Sequence, residues 1–326
     1  MTAWQLALRA GLAAAVPVCL AAQQATFRSS VDAVSVPVAV MKDNQPAPGL
    51  TAADFQLLDN DVLQDIALTT VDRLPVDVTL MIDTSGSVNG RALERLKADV
   101  QQMGGSLQST DRVRLVTFAR TPVEVFGLQP GGSRLPVERI DGGGVTALYD
   151  ALASALVAFP YVDRPQLVFA LTDGRDTSSF LDAARIVALA RYSTTLLCIG
   201  LVSPTVPPIS LSAKVEAVDP LAAEQSALLL PGDRKPSIVR SAGPYIGSPN
   251  VSALKAAAAA TGGVVYDNPA GTAIPELFRH VLDDFRASYV LTYMPRGVSP
   301  GGWHTITVKT RKSGYTIRAR KGYERQ

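Results

Sequence analysis

Two cysteines and two histidines in 326 residues leave this chain little material for nucleophilic or thiolate chemistry. Cys19 sits in the leading stretch, so a mature chain without that stretch keeps Cys198 alone and has no intramolecular disulfide. Cys198 lies in the apolar run TTLLCIGL and reads as a small buried core residue. His280 in ELFRHVLDDF and His304 in WHTITVK each read as solvated or half-buried side chains. A Ser-His-Asp or Cys-His arrangement has little to build on. Also missing are a Walker A loop, a GxGxxG after a strand and a His-Glu-x-x-His. Charge is scarce too. Charged residues make up 18%, the net charge is +2, and neither sign forms long blocks. That excludes the usual footprints of a nucleic-acid partner and of a polybasic membrane contact.

What is present is apolar. Hydrophobic residues are 47% of the chain, enough for a sizeable core and against global disorder. The length allows one large domain with one or two smaller pieces. Residues 1–22, MTAWQLALRAGLAAAVPVCLAA, carry one positive charge at Arg9, a short apolar stretch and small residues at Ala21 and Ala22. This is a secretory signal pattern, too short to make a stable membrane span. The expectation is an exported protein, periplasmic or extracellular, with no membrane span in the mature chain.

Residues 28–72 read as a small β unit: VDAVSVPVAVM alternates, NQPAPGL turns, and FQLLDNDVLQDIALTTV suggests a hairpin about Asp59-Asn60-Asp61. From about residue 75 the period changes. Strands VDVTLMI, RVRLVTF, QLVFALT and TTLLCIGL alternate with helical segments ALERLKADVQQMGGSL, TALYDALASALVAF and LDAARIVALAR, and TPVEVFGL reads as an edge strand. Such alternation predicts an α/β fold with a doubly wound, Rossmann-like parallel sheet covered on both faces, over residues 75–286. Residues 202–250 interrupt it with a proline-rich insertion, after which SALKAAAAATGG, VVY and IPELFRHVLDDF resume the pattern. Residues 287–323 are β again. Two short β pieces that bracket an α/β domain each need a cover for one apolar face, so 28–72 and 287–323 are expected to pair in one β-sandwich.

Three loops at the carboxyl ends of the strands carry oxygen donors, where open α/β sheets bind ligands. Asp83-Thr84-Ser85-Gly86-Ser87 ends the first strand, GGGVTALYDAL places Thr146 at a helix start, and LTDGRD places Asp173 at a strand end. Asp83, Ser85, Ser87, Thr146 and Asp173 supply three hydroxyls and two carboxylates. Hard oxygen donors without histidine or thiolate suit Mg²⁺, Mn²⁺ or Ca²⁺, and argue against zinc or copper. Taken alone, Asp83 and Ser85 also fit a helix cap. Asp176 reads as solvated, and the Thr146 hydroxyl as exposed.

The three motifs in this order resemble the von Willebrand factor type A domain and its metal-ion-dependent adhesion site. The resemblance implies that Ser85, Ser87 and Thr146 ligate a divalent cation directly, with Asp83 and Asp173 acting mostly through water or in some conformations. It also implies that an Asp or Glu from a partner protein completes the coordination. The flanking β segments are similar to an exported bacterial, acidobacterial-type subgroup. The expected function is metal-dependent binding of a protein, not catalysis. Two alternatives are a Mg²⁺-dependent hydrolase and a structural envelope protein with a stabilising metal.

Overall fold

The computed structural model describes residues 33–43, 45–85, 90–158, 164–202, 248–268 and 272–325. The expected leader, Ser87 and most of the proline-rich insertion lie outside the described residues. The chain opens with β1 (Val34–Lys42), β2 (Gln45–Pro46), β3 (Phe55–Asp59), β4 (Val62–Leu63) and β5 (Ile66–Thr70). It then runs β6 (Asp77–Asp83), α1 (Gly90–Gly105), β7 (Arg112–Phe118), β8 (Pro122–Pro130), α2 (Leu148–Val157), β9 (Gln166–Thr172), α3 (Ala183–Tyr192) and β10 (Leu196–Val202). After the insertion come α4 (Val251–Ala260), β11 (Val265–Asn268) and α5 (Ile274–Arg286). The end is all β: β12 (Tyr289–Tyr293), β13 (Gly302–Thr310), β14 (Thr316–Ala319) and β15 (Gly322–Arg325).

The central sheet has the order β11-β10-β9-β6-β7-β8, parallel except for β8, which pairs antiparallel with β7. Every residue of β9 is buried, as a strand covered on both faces requires. One face packs on α1 and α5 through Leu96, Val100, Met103, Phe278 and Val281. The other packs on α2, α3 and α4 through Leu152, Ile186 and Leu254. From β6 the chain proceeds to β7 on one side, while β9 leads to β10 on the other. The order therefore reverses between β6 and β9, and the crevice beyond their carboxyl ends is where such sheets hold ligands.

The bracketing segments do share one sandwich. In its first sheet β1 lies between β12 and β14, with Val36 opposite Leu291 and Val40 opposite Ile317. In the second, β3 pairs with β13, with Leu57 opposite Val308. Val36, Val38, Leu57, Tyr289, Leu291 and Ile306 fill the space between the sheets. One sequence expectation changes here. The hairpin about Asn60 and Asp61, both at positive φ, returns for only the two residues of β4 before the chain leaves to form β5 in the other sheet. The run YTIRARKGY is likewise two strands, β14 and β15, one in each sheet.

His304 is not solvated or half-buried. It is 0% exposed inside the sandwich, with Nδ1 2.7 Å from Asp59 Oδ1. Asp59 Oδ2 accepts the hydroxyls of Tyr293 at 2.8 Å and Tyr323 at 2.9 Å. One buried carboxylate thus collects partners from β12, β13 and β15. Burial, with the carboxylate beside it, pushes the Tyr323 phenol up to about 12.

The two passages between sandwich and α/β sheet run side by side. Val71 N donates to Ser288 O at 3.0 Å. Arg286, at the end of α5, pairs with the buried Asp111 and donates to Leu74 O at 3.3 Å. A buried carboxylate held by guanidinium and by the Val76 and Gln108 amides has its lone pairs satisfied, which such a charge needs.

Candidate metal centre

The site forms where three loops leave β6, β9 and the start of α2. Asp83 is the last residue of β6 and is partly buried. Its Oδ1 accepts the Ser85 amide at 3.0 Å, and its Oδ2 accepts the Thr172 hydroxyl at 3.0 Å. The Ser85 side chain also favours the ionised form of Asp83. Thr146 Oγ1 in turn donates to Ser85 Oγ at 2.8 Å. Asp83, Ser85 and Thr146 are therefore one hydrogen-bonded set drawn from two separate loops, joined through the amide and the hydroxyl of Ser85. Asp173 stands close enough that its charge acts on Asp83. Ser87 lies outside the described residues.

Thr146 is brought there by glycine. Gly143 and Gly144 have φ of +121° and +100°, a backbone that side-chain-bearing residues rarely adopt. The Gly143 amide donates to Thr84 O at 2.7 Å, which ties this loop to the one after β6. Gly174 follows Asp173 at φ +80°, and a Cβ there would meet Leu201, Pro249 and Leu254 at 3.2 to 3.4 Å. The Thr146 hydroxyl is not exposed as expected. The residue is 7% exposed because Ala147 N bonds Ala119 O and seats the turn on the sheet.

The electrostatics favour a cation. Burial pushes the Asp83 carboxyl above its ordinary 3.8, hydrogen bonds from Ser85 and Thr172 pull it back, and the charge of Asp173 pushes it up again. Arg175 is the basic partner of Asp173, at 3.7 Å from Oδ2, too far for a hydrogen bond. Two like charges and two hydroxyls gathered at these loops, all hard oxygen donors, fit a divalent cation. Among the described residues no group of three or more His, Cys, Asp and Glu side chains is gathered for a metal, so such a centre depends on its hydroxyls.

Sequence reasoning missed the residues that hold the site in shape. Thr172 Oγ1 donates to Asp83 and accepts the Gly174 amide at 3.0 Å. Thr177 Oγ1 accepts the Thr146 amide at 2.8 Å, and Thr177 N donates to Thr146 O at 2.8 Å. Asp176 is not solvated. It accepts from the Ser179 hydroxyl and, at 3.3 Å, from the Tyr149 amide, which satisfies a free N–H in the first turn of α2. The only signal available for these roles was the density of Thr, Ser and Asp in LTDGRDTSS.

Among known proteins, an uncharacterized protein of Synechocystis sp. is 30% identical over 110 residues, which is 32% of this chain and 26% of that protein. The match thus spans about a quarter of the relative's length. A von Willebrand factor type A protein from Catenulispora acidiphila aligns in structure at a TM-score of 0.44 and 13% identity, over 90% of this chain and 74% of that one. The ArnB paralog VWA2 from Sulfolobus acidocaldarius aligns at 0.44 and 11%, over 89% and 76%. Proximal thread matrix protein 1 from the mussel byssus, solved with zinc in its adhesion-site motif, aligns at 0.33 and 18%, over 41% and 38%. The family model of the von Willebrand factor type A domain matches residues 78–175, the segment that carries Asp83, Ser85, Thr146 and Asp173.

Proposed function

We propose that the chain is an exported protein-binding module whose contact point is a divalent cation, Mg²⁺ or Mn²⁺ in the first instance. The observation that carries this reading is the hydrogen-bonded set of Thr146, Ser85 and Asp83 at the strand-order reversal, with Asp173 beside it. Ser85, Thr146, Asp83 and Asp173 would hold the cation, together with Ser87. A cation held mainly by neutral hydroxyls keeps an electrophilic position for an acidic side chain brought by a partner protein. Among the described residues neither histidine is placed to serve these oxygens as a general base: His304 is sealed in the sandwich, and His280 is exposed on α5 beside Asp284 and Tyr266. Among the described residues no helix is long and apolar enough to cross a membrane.

Calorimetry of the full chain with MgCl₂ and MnCl₂, beside Thr146→Ala, tests the centre. Saturable one-to-one binding to wild type, weakened at least about tenfold in the variant, is the expected result. Wild type that takes up neither ion would sink the reading.

A further inference from the structure

Phe180 is 96% exposed, the most of any large apolar side chain among the described residues. Its backbone is anchored to the start of α2. Phe180 N and Leu181 N donate to the two oxygens of Asp150, at 2.9 and 3.0 Å. Ser179 Oγ accepts the amides of Tyr149 and Asp150 at 3.0 and 3.2 Å. Thr177 N and Ser178 N both donate to Thr146 O. The loop from Asp173 to Leu181 is thereby stitched to the start of α2, the same turn that presents Thr146 to the site. On this rim the Arg175 side chain is 31% exposed and only loosely engaged by Asp173, and Val145, next to Thr146, is 39% exposed.

We infer that this loop selects the partner. Phe180 and Val145 receive an apolar side chain that stands next to the partner's acidic residue, and Arg175 adds a positive charge facing that carboxylate. The occupant is a protein segment with Asp or Glu beside an apolar residue. The inference rests on the metal-site reading above. Its physical basis is that an apolar ring left in water on an anchored loop gains burial on binding, as interface anchors do. A site that recognised a carboxylate alone would have no use for an exposed phenylalanine on its anchored loop. Arg175 also meets a carboxylate through a charge-assisted hydrogen bond without leaving its own loop.

The test selects random heptapeptides displayed on phage against the full wild-type chain in MgCl₂, eluting with EDTA, and repeats the selection on Phe180→Ala. The expected wild-type pool is rich in Asp or Glu next to an apolar residue. Phe180→Ala keeps the acidic residue, loses the apolar neighbour, and binds a recovered peptide about tenfold more weakly. Its melting temperature stays that of wild type. Acidic peptides without an apolar neighbour, or equal affinity in both proteins, overturn this inference and leave the metal site standing. A pool with no acidic residue overturns the metal-site reading and this inference together. A clear drop in melting temperature for Phe180→Ala means that the chain itself covers the ring, which also overturns it.

Discussion

Thr146 Oγ1 donates to Ser85 Oγ across 2.8 Å, although the two residues stand 61 positions apart. Nothing but the fold brings them together, and the bond has a measurable weight. Thr146→Ala removes one partly buried hydrogen bond and a methyl, so about 1 to 2 kcal/mol of stability should go. In urea the midpoint falls with the slope unchanged. That is a larger effect than an exposed hydroxyl would give, and it separates the buried Thr146 seen here from the exposed one expected from sequence.

Arg286→Met tests the joint between the two lobes. Asp111 is 0% exposed and Arg286 is its ionic partner, so the change leaves a buried carboxylate with amides alone. A loss of about 3 kcal/mol or more follows from removing one member of a buried pair. Replacing both, as Asp111→Asn with Arg286→Met, should recover part of that loss. A double-mutant cycle in urea reads the coupling.

Asp59 offers a second buried test. Asp59→Ala strands His304, Tyr293 and Tyr323 at once and should cost at least about 3 kcal/mol. Asp59→Asn keeps an acceptor oxygen for the tyrosines and should cost less. Thermal unfolding of the two variants gives the order, and an equal loss in both would mean that the charge, not the lost acceptors, carries the network.

The period of the apolar residues made most of the architecture legible. VDVTLMI and QLVFALT are too uniformly apolar to be anything but strands covered on both faces, and ELFRHVLDDF carries one clean buried stripe. The pairing of the bracketing segments followed from each having an apolar face in need of a cover. What stayed hidden depends on contacts remote in sequence. His304 and Asp59 are 245 positions apart, and an alternating strand shows which face a histidine is on but not what waits there. The split of YTIRARKGY between two sheets is a change of partner, which the run of residues does not name. In the site, Asp83, Ser85, Thr146 and Asp173 stood out as chemistry at strand ends. Thr172, Thr177 and Asp176 did not, because holding a loop by hydrogen bonds leaves no spacing signature.

Cys198 provides a pH-dependent prediction. Burial raises its thiol from an ordinary 9.0 to about 11. The thiol form is favoured in the fold, so its contribution is complete below pH 9 and is lost as pH rises towards 11. Cys198 of the native protein at pH 8 should resist iodoacetamide, and the same residue in urea should react stoichiometrically. Labelling at equal rates in both would contradict a sealed Cys198.

The last prediction concerns the cation and the charge that waits for it. Without metal, Asp83 is a half-buried carboxylate beside Asp173, raised above its ordinary value by burial first and by that neighbour last. A raised carboxyl contributes fully at pH below its ordinary 3.8 and loses that contribution as pH climbs through the higher folded value. At neutral pH in EDTA the ionised Asp83 therefore weighs against the fold. Asp83→Asn keeps an oxygen for the Ser85 amide and removes the repulsion, so in EDTA it should melt no lower than wild type. With Mg²⁺ the order reverses. Wild type gains stability by mass action, about 2.7 kcal/mol at a hundredfold excess over Kd. Asp83→Asn should gain almost nothing, because one of the two charges that hold the ion is gone. Scanning calorimetry of both proteins, each in EDTA and across a MgCl₂ series, gives four melting curves. A crossing of wild type and variant between the two conditions is the expected signature. Parallel curves would mean that Asp83 supports the fold and not a cation.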